Sequence, residues 1–175
     1  MWHVGDIYNL MAKSAYAEAV DTIQRALRPI LREPDFRVCG RTLNRGTQDG
    51  LTHVLGIQMG ASDPPGTTYI PGLRENLHGW FTVNVGVYVP EVALYYGGGP
   101  AKSWVQDFHC CVHARLSDAC GETRELWWKA NAELPIVDDV RQRIELYGIP
   151  FSRSVWDSRS DTCRMARTLR DHGRQ

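Results

Sequence analysis

Trp80-Phe81-Thr82-Val83-Asn84-Val85-Gly86-Val87-Tyr88-Val89 is the stretch on which the fold turns. Phe81, Val83, Val85, Val87 and Val89 alternate with Trp80, Thr82, Asn84, Gly86 and Tyr88. A period of two belongs to a β-strand whose sides meet different surroundings. One side is oily enough to lie under helices; the other is mixed and carries an amide. A strand divided in this way belongs to an antiparallel sheet with one face on a core.

Working outward, His53 to Met59 reads as a preceding strand and Phe36 to Arg45 as the one before it. They are joined by the turn residues Arg45-Gly46-Thr47-Gln48-Asp49-Gly50. Residues 60–79 form a long Gly- and Pro-rich loop, a kind usually tied to function or mobility. Beyond the central strand, a loop with Gly97-Gly98-Gly99-Pro100 leads to a fourth strand, Phe108 to Leu116. There Phe108, Cys110, Val112, Ala114 and Leu116 alternate with His109, Cys111, His113 and Arg115.

Helices flank the strands. Ser14 to Leu31 carries Ala19, Ile23, Leu27, Ile30 and Leu31 on one stripe, with Ser14 as N-cap. Pro29 disturbs its last turn and Pro34 ends it. Trp2, Ile7, Tyr8, Leu10 and Met11 suggest a short helix before it. Val137, Val140, Ile144 and Tyr147 mark a second helix, with Gly148 as its stop. A third spans Ser154 to Asp171; residues 153–175 hold six Arg and three Asp. Leu126-Trp127-Trp128-Lys129 anchors an element between sheet and helices. The order gives an α+β class: a mainly antiparallel sheet of about four strands, with an N-terminal helix and C-terminal helices packed on one face. No repeat or linker divides the chain, so residues 1–175 read as a single domain ending in an Arg-rich helix, 152–175.

Four segments carry a family likeness: Ala26 to Phe36 (ALRPILREPDF), Gly56-Ile57-Gln58, Thr82 to Tyr88 (TVNVGVY), and Arg115 followed by Trp127-Trp128. Across residues 14–151 the chain resembles the bacterial family catalogued as domain of unknown function 4304. The family's first helix ends in Leu-Leu-x-x-x-Gly-Phe; here Asp35 stands where that Gly precedes Phe36. The resemblance implies an α+β fold. It brings no reaction and no catalytic residue.

Composition narrows the function classes. At 175 residues, with 43% hydrophobic and 23% charged, the chain can bury a core without staples. Twenty Lys plus Arg balance twenty Asp plus Glu, which argues against nucleic acid held by bulk charge. No stretch approaches the ~18 apolar residues of a membrane span, and the N-terminus lacks a signal-peptide pattern. Five cysteines (Cys39, Cys110, Cys111, Cys120, Cys163) without a CxxC pair read as free thiols of a reducing, cytoplasmic setting.

The candidate sites lie on the polar side of the sheet. Gln58 and Asn84, if adjacent, can bond each other or clamp the 60–79 loop. With Thr82, Tyr88, His113 and Arg115 they form a face for a ligand or partner, and Arg115 suits a carboxylate or phosphate. Trp80, Trp127 and Trp128 are candidate stacking platforms or partner hot spots. A Trp pair on a strand points one ring inward and the other outward, so one of the two is an interface candidate, and Trp128 is taken as that residue. No cofactor is called for: Gly97-Gly98-Gly99 lacks the Lys-Ser/Thr of a phosphate loop, and no GxSxG occurs. The reading is a non-enzymatic cytoplasmic binding domain with a protein partner, one version being an immunity-type protein that neutralises a toxin. The alternative is a metal-assisted hydrolase using His109, Cys111 and His113, neighbours on one strand face about 6.5–7 Å apart.

Overall fold

The computed structural model describes residues 14–32, 35–48, 50–61, 76–97, 102–151 and 168. The segment before Ser14, most of the 60–79 loop, Gly98, Gly99 and, apart from Thr168, residues 152–175 with the expected 154–171 helix and Arg159, Arg164, Arg167, Arg170 and Arg174 lie outside the described residues.

Helix α1 (Ala15–Arg32) begins where the hydroxyl of Ser14 accepts the Ala17 N–H at 3.2 Å. One such acceptor satisfies an amide that the first helical turn leaves orphaned. Val20, Ile23, Leu27 and Leu31 are all but sealed from solvent, so the periodic stripe is the buried one. Past its end, the Phe36 N–H donates to the Leu31 carbonyl at 3.1 Å, a six-residue closure. Asp35 stands at φ 62°, a left-handed position that suits glycine best and Asp or Asn next.

Six strands form one antiparallel sheet in the order β1 (Arg37–Cys39), β2 (Thr42–Gly46), β3 (Thr52–Met59), β4 (Trp80–Tyr88), β5 (Val112–Arg115), with β6 (Trp128–Lys129) beside β5 on the same edge of β4. The α+β class and the antiparallel sheet stand; the strand count rises from about four to six. Two details account for this. The stretch from Phe36 to Arg45 is two strands, because the chain reverses at Gly40-Arg41, where Gly40 takes φ 57° and Cys39 pairs with Thr42. The second tryptophan of the pair and Lys129 supply the sixth strand, with Trp128 opposite Phe81. The expected fourth strand is also shorter: Asp107–His109 is a single 3₁₀ turn, and pairing starts at Val112.

Helix α2 (Pro90–Tyr95) follows β4, and the short α3 (Leu116–Ala119) follows β5. Helix α4 (Leu134–Arg143) runs on through a π-helical turn, Ile144–Gly148. Gly148 therefore does not stop the helix. It is buried, and a Cβ there would stand 3.3 Å from Leu116 and 3.5 Å from Val85, so the missing side chain lets the helix lie close on the sheet.

The two faces of the sheet are covered differently. On one, Leu43, Leu55, Ile57, Phe81, Val83 and Val85 pack against α1 and α4 through Ile23, Leu27, Val137, Val140 and Ile144. Burying each such side chain contributes about 1.5–3 kcal/mol. The other face carries a strap, residues 104–111. The Asn44 side chain pairs with both backbone groups of Val105 at 2.8 Å each, and Thr42 Oγ1 donates to Gln106 Oε1 at 2.6 Å. Val54, Tyr88, Val105 and Cys110 form a small second core beneath it. Two strand glycines make room: Gly56 lies under Asp107 and Gly86 under Cys110, where an added Cβ would meet those residues at 3.1 and 2.8 Å. The polar face is thus partly occupied by the chain itself.

Candidate functional site

At one end of the strap the polar residues gather. Antiparallel pairing sets Asn84 opposite Gly56 on one side and Arg115 on the other, and places His113 opposite Gly86. With a period of two, Gln58, Asn84, His113 and Arg115 then share one surface. All four line a single cavity of about 410 Å³, joined by Asp107 and Phe108 of the strap and by Asp118 of α3. A neighbouring cavity of about 610 Å³ shares Gln58, Asp107 and Phe108 and reaches Arg41 at the β1–β2 turn.

Asn84 Nδ2 donates to Gln58 Oε1 at 2.9 Å and to Asp107 Oδ2. The amide pair is formed as the sequence suggested, with the strap carboxylate as its third member; the 60–79 loop, its expected partner, is largely outside the described residues. Arg115 is held from three sides. Its backbone N–H donates to Asp118 Oδ2 at 3.1 Å, and its Nε pairs with Glu125 Oε1 at 2.9 Å. Its guanidinium carbon lies 5.1 Å from the centre of the Trp127 ring, whose Nε1–H donates to Glu125 Oε2 at 3.0 Å. Among the described residues, Nη1 of Arg115 is buried and has no hydrogen-bond partner. Glu125 and Trp127 therefore fix a flat cation at its Nε and by one face.

Two predicted binding residues lie elsewhere. Tyr88 is 2% exposed beneath the strap and lines a different cavity. Trp128 points to the helical face: it stacks on Phe81 with centroids 5.7 Å apart, and its Nε1–H donates to Asp139 at 2.7 Å. Trp127, the residue before β6, is the one of the pair that lies against Arg115. Thr82 is buried on the polar face without joining the cavity. Asp107 and Glu125 escaped the sequence reading, and Trp127 was one of its three tryptophan candidates. Gly56, small in the middle of a strand, was the trace of a close approach there.

The hydrolase constellation is not assembled. His109 belongs to the 3₁₀ turn, and its Nδ1 accepts the Gln106 N–H at 3.0 Å. Cys111 Sγ contacts the Val89 carbonyl at 3.6 Å, and His113 lines the other cavity. The alternation that placed the three on one face begins only at Val112. Among the described residues, no three His, Cys, Asp or Glu side chains are placed to hold a metal ion. Burial, reinforced by the charge of Asp107, pushes the Cys110 thiol far up; burial also raises that of Cys111. Both stay protonated at neutral pH, so neither supplies a thiolate nucleophile.

No family model, curated protein or solved structure matches this chain.

His109 gives the strap a pH dependence. Partial burial and the nearby Lys102 charge lower its pKa from 6.5, against the opposing pull of Asp107. A lowered folded pKa means that the unfolded chain binds the proton more readily. The contribution is full above pH 6.5 and fades as pH falls through the folded value, because protonated Nδ1 no longer accepts the Gln106 N–H. Thermal unfolding followed from pH ~7 down to ~5 should lose stability more steeply in the wild type than in His109→Gln. Equal slopes would show that the imidazole is not coupled to folding.

Proposed function

We propose that this chain is a non-catalytic, cytoplasmic binding domain that docks a protein partner at the Gln58–Asn84–His113–Arg115 cleft. The observation that carries the reading is the Arg115 guanidinium. Glu125 and Trp127 orient it, and its Nη1 is buried without a hydrogen-bond partner among the described residues. A fork held in this way suits an acidic side chain offered end-on. The continuing groove toward Arg41 suits a partner segment rather than a single small ion.

Ser, Thr, Cys, Lys and Tyr are absent from the cleft's described lining, so it holds no hydroxyl, thiol or amine nucleophile. Within this reading, the specific form is an immunity-type protein whose cleft receives an acidic surface of a toxin. Membership of the domain of unknown function 4304 family is part of the same proposal. What supports it is that two of the quoted motifs, Gly56-Ile57-Gln58 and Asn84-Val85-Gly86, meet as paired strands beneath the strap.

The test is Arg115→Ala in cells that make the full chain, with in-cell crosslinking and mass spectrometry. The wild type should retain one stoichiometric protein partner, and the variant should bind it at least ~30-fold more weakly, a loss of about 2 kcal/mol or more. Thermal stability should fall by less than about 1 kcal/mol, because the Arg115–Glu125 pair is partly exposed. Unchanged partner recovery by a folded variant would remove the cleft from the interface.

A further inference from the structure

The strap also lines a third cavity, of about 480 Å³, between itself and α2. Its walls are mostly apolar: Val92 and Ala93 come from α2 and Phe108 from the strap. Tyr88 lines it at 2% exposure, and its hydroxyl is buried without a hydrogen-bond partner among the described residues. A buried hydroxyl left unpaired is costly unless something that enters the site can pair with it. Lys102, which is exposed, is the one charged residue of the described lining, and no carboxylate accompanies it there. His109 adds a third polar group. With Nδ1 accepting a backbone N–H, a neutral ring carries its proton on Nε2 and can act only as a donor there. The volume is that of a small-molecule site, and apolar walls with a few polar groups are the usual composition of one. Phe108 and Tyr96 line it while being 74% and 71% exposed, so large aromatic surface faces solvent at the opening.

We propose that this cavity binds a small aromatic carboxylate bearing a ring hydroxyl, the hydroxyl paired with Tyr88, the ring between Ala93 and Phe108, and the carboxylate balanced by Lys102. The inner residue of the cavity offers a neutral hydrogen-bonding group and the outer one a positive charge, which sets the orientation. The site shares Phe108 with the Arg115 cleft but none of its polar residues: Gln58, Asn84, Asp107, His113, Arg115 and Asp118 do not line it.

The experiment is calorimetric and NMR titration of the full chain with 4-hydroxybenzoate, benzoate and 4-hydroxybenzyl alcohol. The wild type should bind 4-hydroxybenzoate saturably at one site, more tightly than either analogue. Tyr88→Phe should weaken 4-hydroxybenzoate about fivefold while leaving benzoate unchanged. Lys102→Gln should weaken both acids a few-fold and leave the alcohol unchanged. Tyr88→Phe should melt at or above the wild-type temperature, because it removes an unpaired buried hydroxyl. Arg115→Ala should bind the probe like the wild type, which separates failure here from failure of the partner cleft. The proposal is overturned if 4-hydroxybenzoate shows no saturable binding at millimolar concentration. It is equally overturned if Tyr88→Phe affects both acids alike or melts lower, or if Lys102→Gln changes nothing.

Discussion

Trp128→Ala is expected to lower the unfolding free energy by about 4 kcal/mol, the range found when a large buried aromatic is truncated. The indole is 7% exposed, stacks on fully buried Phe81 and belongs to the same packed cluster as α1 and α4. Removing it opens a cavity where the sheet edge meets α4, and the short strand β6 has little other means of closing it. Electrostatics adds little to the loss. Asp139, the acceptor of the indole N–H, keeps its bond to Arg143 Nε at 2.9 Å, so no carboxylate is orphaned. Urea denaturation would show the loss as a lower midpoint at an unchanged slope. Trp127→Ala is the control. It removes the face beneath Arg115 and should weaken partner binding while costing under about 1 kcal/mol of stability. If Trp128→Ala instead kept full stability and lost a partner, the inward placement of that ring would be wrong.

The contrast between the two tryptophans shows what the sequence could and could not say. Alternation along Trp80 to Val89 named the helix-facing side of the central strand correctly, because a period of two survives any tertiary detail, although Thr82 and Tyr88 on the other side are buried as well. The same rule stated that one ring of the Trp pair points outward. Which one depends on register, and Trp128 faces the helices because it pairs with Phe81, forty-seven positions away. The strap was hidden for a related reason. Phe108 to Cys111 alternates as well as a strand does, yet Asp107–His109 curls into a turn whose bonds are local: Gln106 accepts from His109 and Asp107 from Cys110. Periodicity over four residues cannot separate these outcomes. The error had consequences for chemistry, since the His109–Cys111–His113 set existed only on the longer strand.

What did come through was the amide pair. Gln58 and Asn84 were singled out as polar residues on opposed strands, and they meet. They could be found because amides inside a sheet must be bonded, and their nearest possible partner is each other. Their third partner, Asp107, arrives from a segment whose path no local pattern encodes. Gly56 and Gly86 are the sequence record of that path. A glycine inside a strand weakens it, so its presence on the polar face, twice, marks where backbone or side chain crosses.

Gly86→Val puts that inference to its strongest test, with an expected loss of about 3 kcal/mol. Valine has the better strand propensity, worth up to about 1 kcal/mol in favour of the variant. The clash outweighs it. A Cβ at Gly86 would lie 2.8 Å from both Cβ and Sγ of Cys110 and 3.1 Å from the Val112 carbonyl, and valine adds two methyl groups beyond that. Cys110 cannot slide aside. Its N–H is tied to the Asp107 carbonyl and the next N–H to the Val87 carbonyl, each at 3.0 Å. The strap must lift, and Asp107 leaves Asn84 with it. Lifting exposes a thiol that is otherwise buried, so iodoacetamide labelling of Cys110, read by peptide mass, should rise from near nothing to a rate resembling that of exposed Cys39. Half-buried Cys120, outside the strap, should keep its slow rate if the rest of the fold holds. Cys110→Gly added to Gly86→Val removes both clashing atoms and should recover part of the lost stability, a coupling that independent sites do not show. Wild-type stability in Gly86→Val with Cys110 still protected would mean that the strap does not lie on the sheet at that glycine, and the cleft would lose its Asp107 wall.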